Sequence, residues 1–97
     1  VALTFEFAGE LIEWRGPAPF YYVAIPAEVC AQIKEAAKVL SYGWGVVPVR
    51  ATIGATDYTT SLFPKSGAYL LPVKGAVRLP EKLELGQLVA VELTLGS

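Results

Sequence analysis

The chain has no histidine, no methionine and no asparagine, and its one cysteine is Cys30. Each absence removes chemistry. Without histidine there is no Ser-His-Asp triad and no Cys-His dyad. A lone cysteine with no cluster of Asp or Glu leaves no ligand set for a structural zinc ion. A secreted domain of this size usually relies on several paired cysteines, so a single thiol suits a reducing compartment. Val1-Ala2-Leu3-Thr4 alternates like a strand and lacks the basic segment and small-residue cleavage site of a signal peptide. The longest apolar stretches are broken by Gly, Pro or charge well before the roughly 18 residues that a membrane span needs. A cytoplasmic protein that does not enter a membrane is expected. The missing residue types also fit biased coding or a redesigned scaffold with no activity of its own.

An excess of positive charge is lacking too. Eight Lys and Arg stand against nine Asp and Glu, for a net charge of −1. The cations are dispersed, whereas neutralising phosphates needs a concentrated basic face. What the chain has in quantity is apolar surface: 54% of its 97 residues are hydrophobic. That excludes disorder, and the length supplies material for one core, not two.

Period-2 alternation dominates the pattern. Leu3, Phe5 and Phe7 are apolar between polar neighbours, Gly9 marks a bend or bulge, and Leu11 to Trp14 continues the strand. Arg15-Gly16-Pro17-Ala18-Pro19 is a stiff loop, because two prolines fix φ and remove two donors. Phe20 to Ile25 is apolar or aromatic on both faces, as in a closed barrel or beneath a helix. Pro26 opens one helix with Val29, Ile33, Ala36, Ala37 and Leu40 on its buried face, and Ser41-Tyr42-Gly43 ends it. Val46 to Ile53 is a strand whose Pro48 belongs on an edge or beside a bulge. Tyr58 to Phe63 returns as its hairpin partner, Pro64-Lys65-Ser66-Gly67 turns the chain, and Ala68 to Val73 follows. Lys74 to Leu79 has the makings of one helical turn. Leu88 to Leu95 is the last strand, with Val89, Val91, Leu93 and Leu95 inward. About six short strands, one α-helix and a second short helical turn make a mainly β chain, a small closed or split barrel. Closure also removes edges that so apolar a chain can scarcely leave open.

Three segments carry more chemistry than a shape requires. Around the proline loop, Trp14 and Arg15 have the makings of a clamp for an anion or a planar ligand; alternatively Trp14 is core and Arg15 pairs with a carboxylate such as Glu13. After the helix, Tyr42 and Trp44 alternate with glycines, which suits binding anchors as well as a lid over the barrel end. Thr59, Thr60 and Ser61, with Lys65, Lys74 and Arg78 further along, bring hydroxyls and cations that suit a phosphate or carboxylate pocket. Ser61 and Lys65 do not have the helical Ser-x-x-Lys spacing of a nucleophile and its base. Strand Thr and Ser are otherwise ordinary β-formers. Cys30 reads as a small apolar residue on the helix.

Trp14-Arg15-Gly16-Pro17-Ala18-Pro19-Phe20, Ser41-Tyr42-Gly43-Trp44-Gly45, Pro48-Val49, Ile53-Gly54, Thr60-Ser61-Leu62-Phe63-Pro64-Lys65 and Tyr69-Leu70-Leu71-Pro72-Val73-Lys74 occur in an order that resembles one bacterial family. It is Domain of Unknown Function family nineteen-oh-five, found in short stand-alone proteins and in fusions to bacteriocin-protection-type domains. The resemblance covers nearly the whole chain. It implies a double-split β-barrel, a class shared with swapped-hairpin antitoxins and transition-state regulators that bind DNA. Leu83-Glu84-Leu85-Gly86-Gln87-Leu88 resembles the Gly-Asp turn of these barrels, with Gln87 in place of Asp; an amide oxygen is still able to accept the turn's hydrogen bond. The family has no established activity, so the resemblance transfers a shape and motif positions only.

The expectation is a non-catalytic binding or interaction module, monomeric or homodimeric, for a small anionic ligand or a peptide or protein partner. Its ligand-binding residues are expected among Trp14, Arg15, Tyr42, Trp44, Ser61, Lys65 and Lys74, with no catalytic residue, metal or cofactor. A DNA-binding, regulator-like barrel is the alternative.

Overall fold

Alternation along the strands decides what lies inside. In the last strand Val89, Val91, Leu93 and Leu95 are buried between exposed Leu88, Ala90 and Glu92. Val47, Val49, Ala51 and Ile53 do the same in the strand containing Pro48. The computed structural model describes residues 3–14, 20–39 and 47–96. In chain order it contains β1 (Leu3–Trp14), β2 (Phe20–Ala24), α1 (Ala27–Val39), β3 (Val47–Ile53), β4 (Thr56–Lys65), β5 (Ala68–Pro72), α2 (Gly75–Arg78) and β6 (Leu88–Leu95). The strands close a barrel in the order β1-β2-β5-β4-β3-β6, with antiparallel neighbours throughout. Leu11, Leu62, Leu71 and Leu93 are among the fully buried side chains of its interior, and burial of each contributes roughly 1.5–3 kcal/mol.

Two strands serve both halves of the barrel. β1 pairs with β6 from Leu3 to Glu10 and with β2 from Leu11 to Trp14. β4 pairs with β3 from Thr56 to Leu62 and with β5 from Phe63 to Lys65. This is the double split that the family resemblance implied. Gly9 stands where β1 changes partner. A Cβ at this position would overlap the carbonyl oxygen of Ala24 and lie 2.8 Å from Cγ1 of Val23, so only glycine lets the backbones of β1 and β2 approach this closely.

The remaining splits are set by proline. In an antiparallel ladder the N–H and C=O of one residue point to the same side, and the side alternates along the strand. The two-residue turn Gly54-Ala55 makes Ile53 and Thr56 a bonded pair, so Thr56, Tyr58, Thr60 and Leu62 bond to β3 while Thr59, Ser61 and Phe63 face the other way. The turn Ser66-Gly67, with φ of 53° and 79°, likewise pairs Lys65 with Ala68. On this phase Pro48 turns its nitrogen toward β6, whose register with β3 begins only at Arg50. Pro64 turns toward β3, beyond the last pair Val47 and Leu62. Pro72 turns toward β4, beyond the last pair Phe63 and Leu70. Each proline occupies the next bonding position past the end of a ladder, where its missing N–H costs no bond.

The structure differs from the sequence reading in several details. β4 begins at Thr56, before the expected Tyr58, and it does not stop at Phe63 but runs through Lys65, because Pro64 sits on the side of the strand that needs no donor there. The turn expected over Pro64 to Gly67 shrinks to Ser66-Gly67. The buried face of α1 consists of Cys30, Ile33, Ala36 and Ala37, with Val29 only partly buried; Leu40 and the expected cap at Ser41 to Gly43 lie outside the described residues. Cys30 is structural: its Sγ donates to the Ile25 carbonyl at 3.3 Å and accepts the Tyr69 N–H at 3.3 Å, tying the helix to β5. The turn before β6 behaves as anticipated, since Gly86 takes a φ of 84° and the Gln87 side-chain oxygen accepts the Glu84 N–H at 3.0 Å. Among the described residues no helix is long and apolar enough to cross a membrane.

Replacing Gly9 with alanine is expected to lower stability by about 3 kcal/mol, the upper end of the overpacking range, because a backbone carbonyl cannot rotate out of the way. A urea denaturation midpoint unchanged in Gly9→Ala would show that the two strands yield at that crossing.

Candidate functional site

Where β4 leaves β5, the barrel wall opens into a groove of about 970 Å³. Thr59, Thr60, Ser61 and Phe63 of β4 form one side, and Pro72 with the Lys74 to Arg78 segment forms the other. Phe20, Tyr21 and Tyr22 of β2 line the remaining wall. Phe20 is 56% and Phe63 55% exposed, so the groove presents open ring surface. Two ties hold its sides. The Tyr58 hydroxyl donates to the Pro72 carbonyl at 3.0 Å, bridging β4 and β5 below the opening. Thr56 Oγ1 donates to Glu81 Oε2 at 2.6 Å, fastening the segment after α2 to the start of β4. The Glu81 carboxylate also occupies the space that a side chain at Gly54 would need.

Among the described residues the groove carries cations and no carboxylate, since Lys74 and Arg78 line it and Asp and Glu do not. The Arg78 guanidinium carbon lies over the Tyr21 ring, 4.1 Å from its centroid, within cation–π distance. Its Nε is buried and has no hydrogen-bond partner among the described residues. A buried charged donor left unpaired costs roughly 1–3 kcal/mol or more. The arrangement therefore supplies a guanidinium, an ammonium group and hydroxyls around one opening. Among the described residues no three or more His, Cys, Asp or Glu gather as a metal cluster.

Residues 7–93 match the model of a protein family described as Domain of unknown function (DUF1905). The chain belongs to this family. Comparison with curated proteins gives no match.

In this DUF1905 domain the residues singled out in the sequence fall into three groups. Ser61 and Lys74 meet in the groove, together with Thr59, Thr60 and Arg78 of the same hydroxyl and cation cluster. Lys65 does not join them. Its Nζ lies 2.9 Å from the ring centroid of Trp14, so Ser61 and Lys65 do not form a pair on one opening. Trp14 is 44% exposed and is not the core residue that one reading made it. Arg15, Tyr42 and Trp44 lie outside the described residues. The expected ligand-binding residues left out the aromatic wall from Phe20 to Tyr22, and sequence reasoning missed the tie made by Tyr58. The apolar-on-both-faces character of β2 was the available signal, because its outward rings have nothing else to cover.

Burial of the Tyr58 hydroxyl pushes its pKa upward, well above the ordinary tyrosine range. A raised folded-state pKa means that the neutral phenol is favoured by folding. The associated stability is intact below the ordinary value near 10 and is lost as the pH rises beyond it. Tyr58→Phe should cost about 1 kcal/mol at neutral pH for the lost bond to Pro72, yet flatten the decline in stability up to about pH 11. Urea titrations across that range, run on both proteins, check the sign. For the second contact, Lys65→Met in a Trp44→Phe background should shift the emission of Trp14. Stability should fall by no more than about 1 kcal/mol, the exposed cation–π range.

Proposed function

We propose that this domain is a non-catalytic binding module, and that the groove between β4 and β5 takes a small anionic ligand. The observation that carries it is Arg78: its guanidinium lies over the Tyr21 ring, its buried Nε lacks a partner, and no carboxylate lines the groove to neutralise it, all among the described residues. An anion with one edge toward Arg78 satisfies that donor, Lys74 adds a second positive charge, and the Thr59, Thr60 and Ser61 hydroxyls offer hydrogen bonds. The exposed rings of Phe20 and Phe63 favour a ligand with an apolar or planar portion. The unpaired, buried thiol of Cys30 suits work in the cytoplasm.

Duplex DNA fits this surface less well. On the outer face of the sheet formed by β1, β6, β3 and β4, Glu6, Glu92, Thr52 and Asp57 stand in one cross-strand row. That acidic row repels a polyanion, and the groove's cations are too few to offset it.

Benzoate or phenyl phosphate, titrated at low ionic strength, should shift the Arg78 Nε–H resonance. Arg78→Gln and Lys74→Ala should each weaken the effect by about tenfold or more, the loss expected for a charged hydrogen bond. An Arg78 resonance that ignores both anions up to saturating concentration sinks the proposal.

A further inference from the structure

We propose that the ligand is the carboxyl-terminal end of an extended peptide, whose main chain pairs with an open edge of β4 at Thr59 and Ser61 while its terminal carboxylate meets Lys74 and Arg78. This deepens the anion-binding role above, on which it rests, by naming the ligand.

The open edge follows from the ladder phase. Thr59 and Ser61 direct their N–H and C=O groups away from β3, because the bonded positions on that side are Tyr58, Thr60 and Leu62. β5 is the natural partner for them, but its register with β4 ends at Phe63 and Leu70. Continued by two residues, that register sets Pro72 opposite Ser61. Pro72 has no N–H, and its carbonyl is already taken by the Tyr58 hydroxyl. Among the described residues no strand lies along Thr59 and Ser61 on the side away from β3, and both residues line the groove. An unpaired strand edge is a template for a further strand.

The charges give this added strand a direction. Two more residues along, the same register sets Lys74 opposite Thr59, so the cationic end of the groove is the Thr59 end. A peptide with its carboxylate there runs from Ser61 toward Thr59, against the direction of β4, and adds as an antiparallel strand. Its alternate side chains fall beside the exposed rings of Phe20 and Phe63. An inorganic anion answers the two cations but leaves the edge unused; a peptide end answers both. The volume of about 970 Å³ lies at the upper end of ligand pockets and admits several residues.

The test uses N-acetylated tetrapeptides with a free carboxylate, their last two positions randomised, competing against benzoate on the intact chain. The tightest member should displace benzoate and slow hydrogen exchange at the Thr59 and Ser61 amides, which a small anion does not do. Converting its carboxylate to an amide, or N-methylating the amide that pairs with Ser61, should each weaken it by about tenfold or more. Ser61→Ala removes only the hydroxyl, whereas Ser61→Pro also removes the groove-facing donor without touching a β3 bond; relative to Ser61→Ala, Ser61→Pro should weaken the peptide but not benzoate. If Ser61→Pro fails to fold, the N-methylated peptide decides alone. Benzoate binding that no tetrapeptide displaces, or peptide binding indifferent to N-methylation, overturns the peptide assignment and leaves the anion site standing. Failure of benzoate, phenyl phosphate and every peptide removes both.

Discussion

The arrangement of this barrel depends on hydrogen-bond donors that are not there. Pro48, Pro64 and Pro72 each lie at the next bonding position beyond the end of a ladder, so each stops a sheet where continuing it would bury an acceptor without a donor. Gly9 does the complementary work at the crossing of β1 and β2, where a Cβ would collide with the Ala24 carbonyl. Three missing N–H groups and one missing side chain turn what would be a uniform cylinder into two half-sheets sharing β1 and β4.

The groove is a product of that split. Once β4 parts from β5 at Pro72, something must keep the two strands from drifting apart or collapsing together. Tyr58 spans the gap with its hydroxyl on the Pro72 carbonyl. Glu81 folds back over the Gly54 turn to accept from Thr56. Arg78 reaches the opening from α2 and lies over the Tyr21 ring. The donors around the opening are thus placed by the same contacts that close the fold.

Much of the fold was legible because the inward residues are strictly spaced. β3 and β6 alternate so regularly that their inner faces follow from period alone, and the single helix is marked by Ile33, Ala36 and Ala37. The end of β4 was not legible: Pro64 reads locally as a turn residue, and only the phase of the ladder shows that its nitrogen faces a side with no partner strand. The hydroxyl and cation cluster was legible as chemistry, since Thr59 to Ser61 lie close in sequence to Lys74 and Arg78. Lys65 belongs to the same stretch, yet its ammonium goes to Trp14. The wall from Phe20 to Tyr22 was hidden for a different reason. β2 reaches β4's neighbourhood only through closure of the barrel by way of β5, and nothing in local sequence announces that adjacency.

The pairing of β1 with β6 joins the two ends of the chain, with Leu3 opposite Leu95 and Thr4 opposite Thr94. Contacts of such high sequence separation carry a large loop-closure cost and form late. While the chain is being synthesised, the apolar side of β1, with Leu3, Phe5 and Phe7, has no partner until Val89 to Leu95 emerges. The hairpins β3–β4 and β4–β5, closed by two-residue turns, can form long before that. During synthesis the barrel therefore stays an open sheet until β6 is made.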